Sequence, residues 1–304
     1  MRLRIGTRAS PLARWQAEWV AAQLGRAGAD VELVPITTTG DRDQGPIGQI
    51  GTPGIFTKEI QRALLDRRID LAVHSLKDLP TELVEGLSLA AVPPRASPWD
   101  VLIAREAASL EELPERAVVG TSSLRRRSQL WHLRPDLELR DVRGNIDTRL
   151  RKLRQGEFDA LVLARAGLER LGLADQATEV LRAPRLLPAV GQGALGLETR
   201  ADDEPARRQA ELLNDAGTFQ AVTAERAMLA ALRGGCLAPI AAWGRMEGGR
   251  LLLAGRVLSR DGARRLEAES AGDPDGAAAL GREVAARLID QGAEGLIESS
   301  RGTR

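Results

Sequence analysis

Four short stretches bring together side chains whose types could do chemistry. Thr7-Arg8-Ala9-Ser10 closes an apolar stretch and precedes a helical pattern. Ser10 can cap that helix, and the free N–H groups, the hydroxyl and Arg8 together can hold an anion. Gly120-Thr121-Ser122-Ser123-Leu124-Arg125-Arg126-Arg127 repeats the arrangement with three arginines in the first helical turn. Cations there oppose the helix dipole at about 0.3–1 kcal/mol each, a cost that a bound anion would offset. From Thr121 to Arg154, nine Arg and one Lys stand against Asp136, Glu138, Asp141 and Asp147, a local net of +6. That excess fits a solvated basic face, a polyanionic small ligand or nucleic acid. Ala72–Pro80, AVHSLKDLP, delivers Lys77 and Asp78 to the end of an apolar strand. The pair suits general acid/base work or cation stabilisation, and equally a surface ion pair in a turn. His74 and Ser75 are neighbours on a strand and point to opposite faces, so they form no hydrolase dyad. Cys236 follows Gly234-Gly235. Such a thiol is either a small hydrophobe or, in an electropositive setting, a nucleophile.

These residues need elements to hold them. Apolar periodicity predicts strands at Leu3–Gly6, Val31–Thr37 and Asp70–His74, with helices at Pro11–Arg26 and Ile55–Arg68. Gly40–Gly54, glycine-rich with two prolines, reads as a long functional loop. After a linker at Pro93–Pro98 come strands at Ala117–Gly120, Leu137–Val142 and Asp159–Ala164, and helices at Leu124–Leu133, Ile146–Arg154 and Ala166–Leu171. The halves echo each other: RIGTRAS (Arg4–Ser10) against VVGTSSL (Val118–Leu124), and RRIDLAVHS (Arg67–Ser75) against GEFDALVLA (Gly156–Ala164). Two similar α/β lobes with largely parallel sheets are expected, with the ligand in the cleft that such lobes make. A helix at Thr218–Leu232, a hairpin of Leu251–Ser259 and Arg264–Ser270, and a helix at Ala277–Gln291 predict a small C-terminal α+β domain.

Composition narrows the chemistry. The 304 residues are 43% hydrophobic and 28% charged, enough to bury cores in two or three domains, with a net charge of only +1. Forty of the 43 cations are arginine, which suits bidentate carboxylate or phosphate binding and also follows from GC-rich coding bias. One cysteine and two distant histidines give no disulfide and no expected metal site. No P-loop motif is present, and with no Tyr and three Phe, stacking platforms for nucleic acid are scarce. Neither a signal-peptide pattern nor a span-length apolar run appears, so a cytoplasmic location is expected, with no membrane and no nucleic-acid partner.

GTRASPLA, GIFTKEI, AVHSLKDLP, VGTSSLRRR, RGNIDTRL, LPAVGQGA and TAERAML…GGC stand in this order and run to Cys236. Together they resemble the porphobilinogen deaminase (hydroxymethylbilane synthase) family. The resemblance implies a transferase that joins four porphobilinogen molecules head to tail into the linear tetrapyrrole hydroxymethylbilane, releasing ammonia, in heme and porphyrin biosynthesis. It implies a dipyrromethane primer, itself carrying acetate and propionate groups, in thioether linkage to Cys236. Asp78 matches the general acid/base, expected to assist loss of ammonia and stabilise the azafulvenium and pyrrolenine cations. Ser75, Lys77, Thr121, Ser122, Ser123, Arg125, Arg126 and Gly144 match cofactor-binding positions. Arg8, Ser10, Phe56, Arg143, Arg149, Arg170 and Gln192 match substrate-binding ones.

The resemblance further implies two periplasmic-binding-protein-like α/β lobes plus the C-terminal α+β domain, and a monomer. Domain 1 would comprise 1–93 and 194–212, domain 2 99–188 and domain 3 216–304. Gln49 and Pro53 depart from lysines often found at their positions, and Arg127 extends the usual arginine pair to three. The competing expectation is a non-catalytic two-lobed polycarboxylate-binding protein. Such a carrier has no need of Asp78 or Cys236.

Overall fold

A computed structural model describes residues 2–37, 57–234 and 238–301. In chain order its strands are β1 (Arg2–Thr7), β2 (Asp30–Pro35), β3 (Leu71–Ser75), β4 (Leu87–Ala91), β5 (Asp100–Ala104), β6 (Val118–Gly120), β7 (Glu138–Arg140), β8 (Ala160–Ala164), β9 (Glu179–Leu181), β10 (Leu195–Arg200), β11 (Ile240–Glu247), β12 (Arg250–Leu258) and β13 (Arg265–Gly272). Its helices are α1 (Pro11–Arg26), α2 (Lys58–Leu65), α3 (Leu124–Leu133), α4 (Ile146–Arg154), α5 (Arg165–Arg170), α6 (Glu204–Glu211), α7 (Ala216–Ala231), α8 (Ala277–Asp290) and α9 (Ala293–Arg301). The glycine-rich stretch Gly40–Gly54 lies outside the described residues.

The chain divides into two compact units, Met1–Ala96 with Ala194–Phe219, and Ser97–Gly193 with Gln220–Arg304. The first holds a five-stranded sheet of order β2-β1-β3-β10-β4, the second a five-stranded sheet of order β7-β6-β8-β5-β9. Strand for strand the pairing senses agree. β1 is parallel to β2 and β3, as β6 is to β7 and β8. β10 is antiparallel to β3 and β4, as β5 is to β8 and β9. The sheets are thus mixed, where largely parallel ones were expected. The strands that make them so, β10, β4, β5 and β9, are three to six residues long and carry no periodicity that marks their direction. Helix α2 is shorter than Ile55–Arg68. It stops at Asp66, and Arg67 takes a left-handed φ of 56°, which ends the helical path.

The sequence echo has a structural counterpart. In the first unit the Arg4 N–H donates to Asp70 Oδ2 at 3.1 Å, and Asp70 N–H donates back to Arg4 O at 2.8 Å. In the second, Val118 N–H donates to Asp159 Oδ2 at 2.7 Å, and Asp159 N–H to Val118 O at 2.8 Å. The repeated aspartate therefore sets the register of the repeated strand pair. The repeated glycine does the same by close packing. A Cβ on Gly6 would lie 2.3 Å from Ile69 Cδ1, and one on Gly120 2.6 Å from Leu161 Cδ2 and 2.9 Å from Phe158 Cδ1.

The C-terminal sheet, β11-β12-β13, is an antiparallel meander. Its inner face packs on α7, α8 and α9 through Met228, Leu253, Val284 and Leu288. It joins the second lobe through polar contacts that are buried or half-buried. Arg256 on β12 donates from Nη1 to Gln129 Oε1 at 2.8 Å and from Nη2 to Pro184 O at 2.7 Å. Ser128 Oγ donates to Arg260 O at 3.1 Å, and His132 Nδ1 lies 2.9 Å from Gly262 O.

Overpacking a filled core costs about 1–3 kcal/mol. Gly6→Ala and Gly120→Ala should each lose that much in urea unfolding, whereas Gly25→Ala on α1, where nothing lies within 4 Å, should be neutral or stabilising. Equal midpoints for all three would contradict the packing.

Candidate functional site

Strand direction decides which residues meet. In the second unit β6 and β8 are parallel, so their carboxyl ends share one edge, where ligands of α/β sheets gather. Antiparallel β5 brings its first residue, Asp100, to that same edge opposite Ala164. Helix α3 starts there, capped by Ser123, whose side chain makes no cap hydrogen bond. Arg125 and Arg126, in its first turn, both turn inward onto Asp100. Arg125 Nη2 lies 2.7 Å from Asp100 Oδ2. Arg126 donates from Nη2 at 2.7 Å and Nε at 3.0 Å to Oδ1. All three side chains are buried.

Two guanidiniums on one carboxylate leave one buried positive charge. Burial alone would push the Asp100 carboxyl up, but the charges of Arg125 and Arg126 outweigh it and hold it at about 2. Burial, reinforced by the neighbouring Arg126, lowers Arg125 despite Asp100. Arg125 Nε is buried without a hydrogen-bond partner among the described residues.

The neighbouring loops are laced together. Ser122 Oγ donates to Val142 O at 2.9 Å and accepts from Val142 N–H at 3.1 Å, and Thr121 N–H donates to Arg140 O at 2.9 Å. This sets Thr121–Ser123 beside Arg143 and Gly144. Gly144 has φ +100°, and a Cβ there would lie 2.6 Å from Thr148 Cγ2, so this turn requires glycine. Arg149 on α4 donates from Nε to Gly144 O at 2.8 Å. Among the described residues no carboxylate pairs with it. Burial foremost, then the charge of Arg126, brings it down to about 10. Arg170 donates to Gly193 O at 2.7 Å, and burial, against the pull of Glu169, also brings it to about 10. Buried Gln192 donates from Nε2 to Pro98 O at 2.7 Å and to Asp100 Oδ1 at 3.0 Å. Arg127, third in the run, turns away. It bonds Asp141 Oδ1 at 3.1 Å and Leu139 O at 3.0 Å, and lies over the Trp131 ring.

The first unit builds its own edge the same way. β1 ends at Thr7 and α1 starts at Pro11, with Ser10 Oγ accepting from Ala13 N–H at 3.4 Å and Arg8 between them. β3 runs out into a 3-10 turn at Leu76–Asp78, with Asp78 exposed and Lys77 half-buried. Ser75 is held by Gln16, whose Nε2 donates to its Oγ at 2.8 Å. His74, on the opposite face, has its Nε2 3.0 Å from Glu198 Oε2, and Gln61 Nε2 donates to the other oxygen at 3.0 Å. Cys236 and Phe56 lie outside the described residues.

Residues 3–208 match the family model described as porphobilinogen deaminase, dipyromethane cofactor binding domain, and residues 219–290 match the porphobilinogen deaminase C-terminal domain. The chain belongs to the porphobilinogen deaminase family. A porphobilinogen deaminase of Desulforudis audaxviator is 50% identical over 296 residues, covering 96% of this chain and 96% of that protein. One from Acidithiobacillus ferrooxidans is 49% identical over 303 residues, 98% of each. Among solved structures, the methionine-binding protein MetQ is similar at a TM-score of 0.45 and 14% identity, over 72% of this chain and 90% of its own.

The porphobilinogen deaminase cofactor is a small polycarboxylate, and the second unit suits one. Among the described residues it offers a buried pair of arginines sharing one carboxylate, an Arg125 Nε with no hydrogen-bond partner and a desolvated Arg149. Sequence reasoning missed Asp100, Gln61 and Glu198. The available signal was an acid adjoining apolar residues, Asp100 before Val101-Leu102-Ile103 and Glu198 after Leu197, because a buried carboxylate must have partners. Among the described residues no helix is long and apolar enough to cross a membrane, and no three His, Cys, Asp or Glu cluster to hold a metal.

A carboxyl whose folded pKa lies below its unfolded value stabilises fully above about pH 4 and loses that contribution as pH falls toward its folded pKa. Asp100, at about 2, should thus cost on the order of 2 kcal/mol of stability between pH 4 and pH 2. Urea unfolding at stepped pH measures this, and a flat profile over that interval contradicts the pairing.

Proposed function

We propose that this chain is a hydroxymethylbilane synthase, joining four porphobilinogen molecules into the linear tetrapyrrole and releasing ammonia. The observation that carries the reading is the buried, one-charge-short arginine pair of the second unit, within a chain whose family is defined by a dipyrromethane cofactor. When bound, dipyrromethane supplies the pyrrole carbon to which the first porphobilinogen is joined. Cys236 tethers it, and Ser75, Lys77, Thr121, Ser122, Ser123, Arg125, Arg126 and Gly144 are its binding residues. Asp78, exposed at the end of β3, gives and takes the proton as ammonia leaves and offsets positive charge on the pyrrole. Arg8, Ser10, Arg143, Arg149, Arg170 and Gln192 bind the acetate and propionate groups of porphobilinogen and of the growing chain, and Phe56 packs near the pyrrole.

Three domains belong to the same reading, 1–93 with 194–212, 99–188 and 216–304, in a cytoplasmic monomer that binds neither membrane nor nucleic acid. In the basic stretch 121–154, Arg125 and Arg126 are buried, and Arg127, Arg134 and Arg140 pair with Asp141, Asp136 and Glu138. The absence of a nucleic-acid partner rests instead on the net charge of +1 and the scarcity of aromatic residues.

Intact mass of the purified protein tests the assignment. An adduct of two pyrrole units, absent from Cys236→Ser, is expected, and an active wild type of unmodified mass would sink it. Asp78→Asn should keep the adduct and lose nearly all turnover, as for a group that acts in the transition state. Normal turnover in that variant removes Asp78 from the mechanism.

A further inference from the structure

We propose that Asp100 is a positioning residue for the site, a shared counter-ion that fixes Arg125, Arg126 and Gln192 in the orientation that receives carboxylates. This rests on the transferase reading of those residues. Each carboxylate oxygen has a separate task. Oδ2 is ion-paired with Arg125 Nη2 at 2.7 Å, and Oδ1 accepts hydrogen bonds from Arg126 Nη2 at 2.7 Å, Arg126 Nε at 3.0 Å and Gln192 Nε2 at 3.0 Å. Backbone carbonyls complete the clamp. Arg125 Nη1 donates to Leu187 O at 2.6 Å and Arg126 Nη1 to Val162 O at 3.0 Å.

Two adjacent guanidiniums repel each other in a dry site, and without a carboxylate at their root they would swing apart. Asp100 holds them together yet neutralises only one of the two. It thereby leaves the pair matched to one incoming carboxylate, with Arg125 Nε still without a partner among the described residues. Gln192 extends the clamp to the segment 188–193. Next to it, Gly191 N–H donates to buried Glu225 Oε2 at 2.6 Å, and Gly244 N–H donates to Oε1 at 2.7 Å. A displacement of Asp100 would therefore reach three proposed site residues at once.

The test compares Asp100→Asn with Asp70→Asn. Asp70 is a buried aspartate of the first unit, also ion-paired to two arginines, Arg4 and Arg200, at the opposite end of its strand from Asp78. Three quantities are read: thermal midpoint, cofactor loading by intact mass after incubating apo-protein with porphobilinogen, and KM of the loaded fraction. Both variants should melt lower than wild type. Asp70→Asn should load fully with an unchanged KM. Asp100→Asn should load less than a tenth as much in the same time, with KM raised about tenfold. Asp100→Glu keeps the charge and the fold but moves the carboxylate by one methylene. It should raise KM several-fold, and it decides the matter if Asp100→Asn does not fold. Wild-type loading and KM in a folded Asp100 variant overturn the positioning role. Equal loss of loading in Asp70→Asn overturns it as well, because the effect is then general instability. A wild type that never loads overturns the transferase reading itself, and the positioning role with it.

Discussion

Burying two guanidiniums on one carboxylate is the constraint around which the second lobe is arranged. Desolvating a cation costs several kcal/mol unless a partner is near, and a second cation beside it raises that cost. Asp100 can serve both only because β5 runs against β6 and β8 and so begins where they end. Leu187 O, Val162 O and Gln192 then gather around the same point. The arginines in the first turn of α3, awkward against the helix dipole, become reasonable once Asp100 and a ligand carboxylate are counted with them.

The first lobe shows the same plan with different side chains. β10 returns antiparallel beside β3, and buried Glu198 on it faces His74 and Gln61. Asp70 and Asp159, and Gly6 and Gly120, occupy equivalent places in the two sheets. The echo of a few residues between the halves reflects identical register and packing demands, met twice.

Helices were the most legible part of the chain. Pro11–Arg26, Leu124–Leu133 and Ile146–Arg154 coincide with their predicted ends, because Ser10 and Asn145 accept the cap hydrogen bonds that sequence pattern can anticipate. Parallel strands feeding those helices were legible too. The return strands β5 and β10 were not, since neither DVLIA nor LGLETR carries a mark of its direction. That gap hid Asp100. The arginines could be seen from spacing, but not how they are held, because their partner lies 25 residues before Arg125 at the start of β5. Arg127 looked equivalent to its two neighbours in sequence, yet it faces Asp141 and Trp131.

The seam between the C-terminal sheet and the second lobe bears on how separable the parts are. Arg256, Ser128, His132 and Gln129 all spend their polar atoms across it, and several of their partners are backbone carbonyls on the other side. Backbone acceptors cannot be replaced by substitution, only by matching the local path of the chain. The third sheet is therefore not an interchangeable module. A domain grafted in from elsewhere would have to meet the Pro184 and Arg185 carbonyls as Arg256 does and reproduce the course of the 260–262 turn, or leave polar groups of the second lobe with nothing to bond.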